Sequence, residues 1–478
     1  MREKIVAILN RTDCFKQALL VNAVFCVFMF YASAMMTAAN LLLLGWAAYL
    51  LVRGQRRGEL SMRALALSST LLSLFILFNL LSALINLPNN LLRNLQMVGN
   101  LALLFYMGYG LQKQSVGENL ELFKRLTRLL VGSTFFLSAA TLILYFFNIH
   151  IVHFAGRYCG VYSNPNLSGF AANVSLMATF FLLFDWPSLR RRTKIFYLVQ
   201  LLLQSVVVML SNSRSAFICY AVFFTVLLVL LIFSRLQGKW ILKVLAGVMI
   251  AAGIVALAAG IFKITQMATY TASTALHDRL LGDDADEPKK MDPNDGISID
   301  DYIFRPDKFS REETGTQSMQ IRWDVLVAGW DTFLTRPILG VSPGDVVRRV
   351  CADHPDAFLG NIEDGGLHNS YLQVLVASGA LGFLCMLSFA VGCIAKFIRG
   401  VKAIGSNRMA FRYQSVSMAM LVSMAVFFLF ESSMLYAIGL PAVLFWLLLG
   451  HMMDMATRPK AYLAHFDPTA AQEDEHAR

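Results

Sequence analysis

Only eight histidines occur among 478 residues, and one of them opens the run "GLHNSYLQVLVASGALG" at 366–382, where His368 and Asn369 stand directly before an apolar stretch. An imidazole titrates near neutrality and can take a proton from a hydroxyl group. Three arginines occupy comparable boundary positions: Arg157 in "GRYCGVYSNPNLSG", Arg214 in "SNSRSA" and Arg322 in "QSMQIRWDVLVAGWDTFL". A guanidinium is permanently charged and grips phosphate-type oxygens in a fork geometry. A base near such cations would suit an anionic head group. Each residue also has a plainer reading. His368 alone is equally an interfacial histidine, Asn369 or Ser370 an N-cap, and each arginine a snorkelling or capping residue. Gly379 and Gly382 equally allow close helix packing. The residue types by themselves leave both readings open.

The elements that must position these groups follow from composition. The chain is 57% hydrophobic and 15% charged, with mean hydropathy +0.57. That is too apolar for an ordinary soluble protein. Apolar runs of about 18 residues or more, each long enough to cross roughly 30 Å of hydrocarbon, recur along it. They predict an all-α polytopic membrane protein with about twelve transmembrane helices, near 17–34, 36–52, 64–86, 95–111, 129–148, 167–185, 195–211, 215–234, 244–262, 371–395, 413–430 and 435–453. The first run lacks a small-residue cleavage site and reads as a retained helix. The organisation is helices 1–9 over 1–262, one large extracytoplasmic loop over 263–370, helices 10–12 over 371–453, and a tail over 454–478.

Lys and Arg set the expected orientation, because cytoplasmic loops retain them. Alternate loops hold 27 of the 41 basic residues, which puts both termini in the cytoplasm and the large loop outside. The formal charge of +10 is then accounted for by topology and contact with membrane lipids, with no nucleic-acid partner. Cys159 and Cys351 fall on the outer side, so a disulfide between them is left open. Within the loop, "GDDADEPKKMDPNDGISIDD" at 282–301 is strongly acidic. It lacks the full spacing and terminal Glu of a calcium loop, and no metal is assigned to it. From Gln317 the pattern becomes helical, with Ile321, Val325, Ala328 and Thr332 or Phe333 on one face. A short interfacial amphipathic helix is predicted there, with Trp323 and Trp330 at the membrane surface and Arg322 presented near it. "TRPILGVSPG" ends it.

Together these stretches resemble the O-antigen ligase and O-antigen polymerase superfamily, membrane glycosyltransferases that use polyprenyl-pyrophosphate-linked glycans. His368, Asn369, Gly379 and Gly382 fit the ligase pattern of His, then Asn, Ser or Gln, nine residues, and Gly-x-x-Gly. Arg157, Gly160, Asn164, Pro165 and Asn166 match an Arg before a Gly and an Asn-Pro-Asn turn. Ser213 and Arg214 match a Ser-Arg at a short outer hinge, and Arg322 with Trp323 an Arg before a Trp in the large loop. "RPILGVSPG" is similar to an Arg-Pro-x-x-Gly-x-Gly segment, with Ser342 and Pro343 interrupting the spacing.

The resemblance implies a donor glycan on undecaprenyl pyrophosphate at the outer leaflet of a bacterial inner membrane, and an acceptor hydroxyl on a glycan, a lipid-A core or a protein. It implies catalytic roles for His368, Arg322 and Arg214. Arg157, Asn164, Asn166 and Asn369 would bind substrate. His368 would act on the acceptor hydroxyl, and Arg214 and Arg322 would neutralise the departing pyrophosphate, with inversion at the anomeric carbon and no metal or cofactor. Asp324 and Glu431 would tune these groups, or equally be a solvated helix residue and a paired intramembrane carboxylate. The rival class is a lipid-linked oligosaccharide flippase or transporter, which predicts midplane charges and duplicated halves. The unusual charges here collect at the outer ends, and no internal repeat is visible. Within the superfamily, ligation, polymerisation and protein O-glycosylation are not separated by the sequence.

Overall fold

A computed structural model describes residues 2–31, 33–57, 66–87, 90–110, 115–147, 158–233, 312–355, 366–404 and 407–466, with a few isolated positions besides. Among them the fold is helical, with one isolated antiparallel bridge between Phe28 and Tyr162. The chain divides into two compact units. The first comprises Met1–Ala23, Ser33–Leu129 and Met319–Arg478, and the second Val24–Ala32 and Leu130–Ser318.

Helices of the first unit are α1 (Arg2–Leu9), α2 (Thr12–Phe25), α3 (Ser33–Arg57), α4 (Ala66–Ile85) and α5 (Leu91–Leu103), the last continuing as a π-helical turn through Gly110. The start of α6 (Val116–Phe146) belongs here too. In the second unit the remainder of α6 is followed by α7 (Pro165–Leu183), α8 (Arg191–Leu210) and α9 (Arg214–Phe233). The chain then returns to the first unit with α10 (Glu312–Thr335), α11 (Val346–Asp353), α12 (Ser370–Ile404), α13 (Arg408–Phe427), α14 (Leu440–Thr457) and α15 (Pro459–Phe466).

Seven of the described helices are long and apolar enough to cross a membrane: those beginning at Ser33, Val116, Pro165, Arg191, Arg214, Ser370 and Leu440. The expected runs near 64–86, 95–111 and 413–430 are helices as well, shorter or more polar. The run at 244–262 and the acidic insert at 282–301 lie outside the described residues. The run at 17–34 is not one helix. It stops at Phe25, and the following turn pairs with the other side of the second unit: the Met29 N–H donates to the Val161 carbonyl and the Ser163 N–H to the Val27 carbonyl. The expected start of the last span at 435 moves to Leu440, because 428–439 is an irregular segment with Tyr436 at φ 69°. Cys159 and Cys351 are not joined by a disulfide.

Both units bury polar side chains in pairs, as the cost of an unpaired polar group in a dry interior requires. In the second unit Thr134 donates to Ser175, Gln200 to Ser175, and Ser138 to Gln204, tying α6 to α7 and α8. In the first, buried Asp454 accepts from Asn119 and Tyr462 and pairs with Arg458, while buried Asp13 pairs with Arg11 and Arg125.

Candidate active site

The His-Asn pair forms a clamped helix start. Asn369 is the N-cap of α12, and its Oδ1 accepts from the Tyr371 and Leu372 N–H groups at 3.0 and 2.9 Å. These are donors that a helix N-terminus leaves unpaired. The clamp is closed by the segment after α13. The Asn369 N–H donates to Ser432 Oγ at 3.1 Å, Asn369 Nδ2 to the Leu429 carbonyl at 3.2 Å, and Ser370 Oγ to the Glu431 carbonyl at 2.6 Å. Ser370 Oγ accepts in turn from the Met434 N–H. Of the two residues whose types suggested a cap, Asn369 is the one that caps, Ser370 ties the helix start to the 431–434 segment, and Glu431 takes part through its backbone.

His368 is placed differently. Its backbone lies in the left-handed region at φ 52°, close behind Gly366 at φ 61°. A non-glycine residue there is strained, and such strain gathers at functional sites. The ring is half-buried, and Nδ1 is buried without a hydrogen-bond partner among the described residues.

The helix α10 brings Arg322 to this turn. Its inner face carries Val325, Ala328, Thr332 and Phe333, all buried, with Ile321 half-buried at the same spacing. Gly329 sits against Leu367 and Leu372: a Cβ there would stand 3.2 and 3.1 Å from their methyl carbons. That close approach fixes the helix against the residues flanking His368. Burial, and secondly the positive charge of Arg322, push the His368 imidazole down from 6.5 to about 4, so the ring is neutral at physiological pH. The opposite face of α10 exposes Trp323, Val327, Trp330 and Leu334, an apolar stripe suited to lipid. At 24 residues the helix is longer than the short one expected. Asp324 accepts from Gln320 one turn earlier, as a surface helix residue does.

The Gly-x-x-Gly element has its own physical cause. At Gly379 (φ 64°, ψ −171°) α12 breaks, in a conformation open essentially only to glycine. The segment after α10 inserts at the break. The Val341 and Ser342 N–H groups donate to the Val376 and Ala377 carbonyls at 2.9 and 3.0 Å. The Ala380 and Leu381 N–H groups donate to the Pro337 and Ile338 carbonyls at 2.7 and 3.2 Å. Gly340 and Gly379 make this possible, since a Cβ on either would overlap the backbone of the other segment. From α4, Ser82 Oγ donates to the Ala377 carbonyl, and just beyond α4 Asn86 Nδ2 donates to the Gly340 carbonyl. From α5, Asn94 donates to Asp345, which also accepts from Ser342, and Asn94 accepts from the Gly344 N–H. Sequence reasoning missed Ser82, Asn86 and Asn94 as supports. The available signal was polar residues recurring every four to eight positions along otherwise apolar runs.

In the second unit, the Asn-Pro-Asn turn and the Ser-Arg hinge meet. Asn164 caps α7, accepting from the Leu167 N–H at 2.8 Å, and Pro165 occupies its first position. Asn166 accepts from Ser213 Oγ at 3.0 Å. Arg214, next in sequence, is exposed at the start of α9. Gly169 admits this hinge, because a Cβ there would crowd Ser211 and Ala216. The structure thus joins His368, Asn369 and Arg322 in one unit, and Asn164, Asn166 and Arg214 in the other. Arg157 lies outside the described residues. Among those residues no three His, Cys, Asp or Glu side chains come together as metal ligands.

Fold and site together define a polytopic all-helical membrane protein whose polar machinery sits at helix ends. Residues 199–387 match the family model described as O-antigen ligase, a match that supports the resemblance to the O-antigen ligase and polymerase superfamily. The match takes in Arg214, Arg322, His368 and both glycines of the Gly-x-x-Gly element. Arg157, Asn164 and Asn166 precede it. No curated protein matches the chain.

Proposed function

We propose that this protein transfers a glycan from undecaprenyl pyrophosphate to an acceptor hydroxyl in cell-surface polysaccharide biosynthesis, at the outer face of a bacterial inner membrane with both termini cytoplasmic. The observation that carries the reading is the strained, half-buried His368, held neutral by burial and secondly by the charge of Arg322, inside the segment that matches the ligase family model. A neutral imidazole can accept a proton. When the acceptor oxygen attacks the anomeric carbon, its hydroxyl proton passes to His368, the carbon–oxygen bond to pyrophosphate breaks, and the electron pair leaves on the phosphate oxygen. A single displacement of this kind inverts the anomeric centre. Arg322 stabilises the leaving charge, an electrostatic role that is greatest in the transition state.

One consequence concerns timing. Burial and, secondly, the Arg322 charge suppress the basicity of His368. A bound pyrophosphate neutralises that charge, so the base strengthens when the donor is present. By their sequence contexts, Arg214 is assigned to neutralising the departing pyrophosphate and Arg157, Asn164 and Asn166 to substrate binding; Asn166 also bonds the hinge that carries Arg214. Asn369 holds the turn and lines the substrate side.

The test is reconstitution with a polyprenyl-pyrophosphate-linked glycan and candidate acceptors. Wild type is expected to release polyprenyl pyrophosphate with formation of a glycosidic bond, and the Arg322→Ala variant to lose most of that release. Donor translocation without any new bond would replace this reading with the flippase.

A further inference from the structure

The turn at 366–373 holds more polar capacity than capping and proton transfer use. Gln373 lies in the first turns of α12, and its backbone N–H donates to the Asn369 carbonyl at 3.0 Å. Its side-chain Oε1 is buried and has no donor among the described residues. That oxygen faces the His368 turn: a Cβ built on Gly366 would stand 3.4 Å from it and 3.1 Å from Ser432 Cβ. Gly366, with its positive φ, lets the turn pass this close to Ser432 and Gln373, where a Cβ would be crowded. His368 Nδ1 and the Oγ of Ser433, next to the clamping Ser432, are buried and without partners among the described residues as well. A carbonyl oxygen kept from water without a donor costs free energy, and native structures seldom leave one so.

The chemistry of the missing partner is constrained. An amide oxygen only accepts hydrogen bonds. It therefore disfavours a phosphate, which brings acceptors, and favours a hydroxyl, which brings an O–H. We propose that Gln373 is an acceptor-binding residue, its side-chain oxygen receiving a hydrogen bond from a hydroxyl adjacent to the one that reacts at His368. The acceptor class is then a polyhydroxylated sugar rather than an isolated alcohol. This inference rests on the glycosyl-transfer reading and adds the group that selects and orients the acceptor.

The experiment uses the full-length protein in lipid nanodiscs, with a polyprenyl-pyrophosphate-linked glycan as donor and decyl β-glucoside and its monodeoxy analogues as acceptors. Wild type is expected to discriminate against one monodeoxy analogue roughly tenfold in acceptor kcat/KM, the scale of one lost hydrogen bond. In Gln373→Met that discrimination vanishes, with acceptor KM raised and donor KM within about twofold of wild type. Gln373→Leu provides a second replacement, and the variant with the wild-type thermal midpoint is the one read. Unchanged discrimination in a folded variant, or equal rises in donor and acceptor KM, overturns the assignment to the acceptor. Absence of any glycosidic bond formation by wild type overturns the underlying reading instead.

Discussion

Two regions of α12, eleven residues apart, treat their polar groups in opposite ways. At the Gly379 break, the backbone groups freed by the broken helix are taken up by the inserted segment at 337–342, and Ser82 and Asn86 add further donors. At the His368 turn, Asn369 and Ser370 are engaged, yet His368 Nδ1 and Gln373 Oε1 are buried without partners among the described residues. The first region has the character of architecture. The second keeps hydrogen-bonding capacity in reserve, which a structure tolerates where a ligand completes it. The same short sequence pattern thus combines a joint and a site, and substitutions should separate them.

The largest effect is expected at the joint. Gly379→Ala places a Cβ on the Ile338 backbone in a conformation that L-residues avoid. A cost on the order of 3 kcal/mol or more, comparable to a large share of total stability, should remove most folded protein. Size-exclusion profile and yield are the readouts. At the site, His368→Ala should cut transfer by roughly 10²–10⁴-fold, the range for general acid–base catalysis, while the thermal midpoint stays near that of wild type, since alanine carries the same left-handed backbone strain. Equal losses of folding in both variants would erase the distinction between the regions.

Smaller effects sharpen it. Asn86→Ala strands the Gly340 carbonyl and should destabilise by about 1–3 kcal/mol without changing acceptor KM, as followed by thermal unfolding and steady-state kinetics. The subtlest concerns pH. Because folding lowers the His368 pKa from 6.5 to about 4, the folded protein binds fewer protons than the unfolded chain between those values. Stability therefore falls as pH drops through that window. Arg322→Gln removes one of the two causes, so His368 should titrate above about 4, though burial keeps it below 6.5. Histidine-selective NMR through the acid range measures the shift.

Much of this was legible in the sequence, and the reasons are physical. The inner face of α10 was read correctly at Ile321, Val325, Ala328 and Thr332 or Phe333, because a 3.6-residue period reports burial directly. The capping role of Asn369 was legible because short polar side chains at a helix start have one dominant use, whereas Asn164 was expected to bind substrate and its capping of α7 was not anticipated. The break at Gly379 was not. Two glycines three apart fit simple helix packing equally well, and only the inserted 337–342 segment decides between the readings. The expected helix at 17–34 failed for a related reason. Apolarity continues past Phe25, but the backbone there pairs with residues some 130 positions away, which no local pattern reveals.

The most direct test of the central claim compares wild type with His368→Gln, each reconstituted with lipid-linked donor and acceptor and each checked for an unchanged thermal midpoint. Formation of the new glycosidic bond in wild type, and its loss by roughly 10²-fold or more in the variant, is the expected result. Transfer at the wild-type rate in folded His368→Gln would contradict a base at this turn.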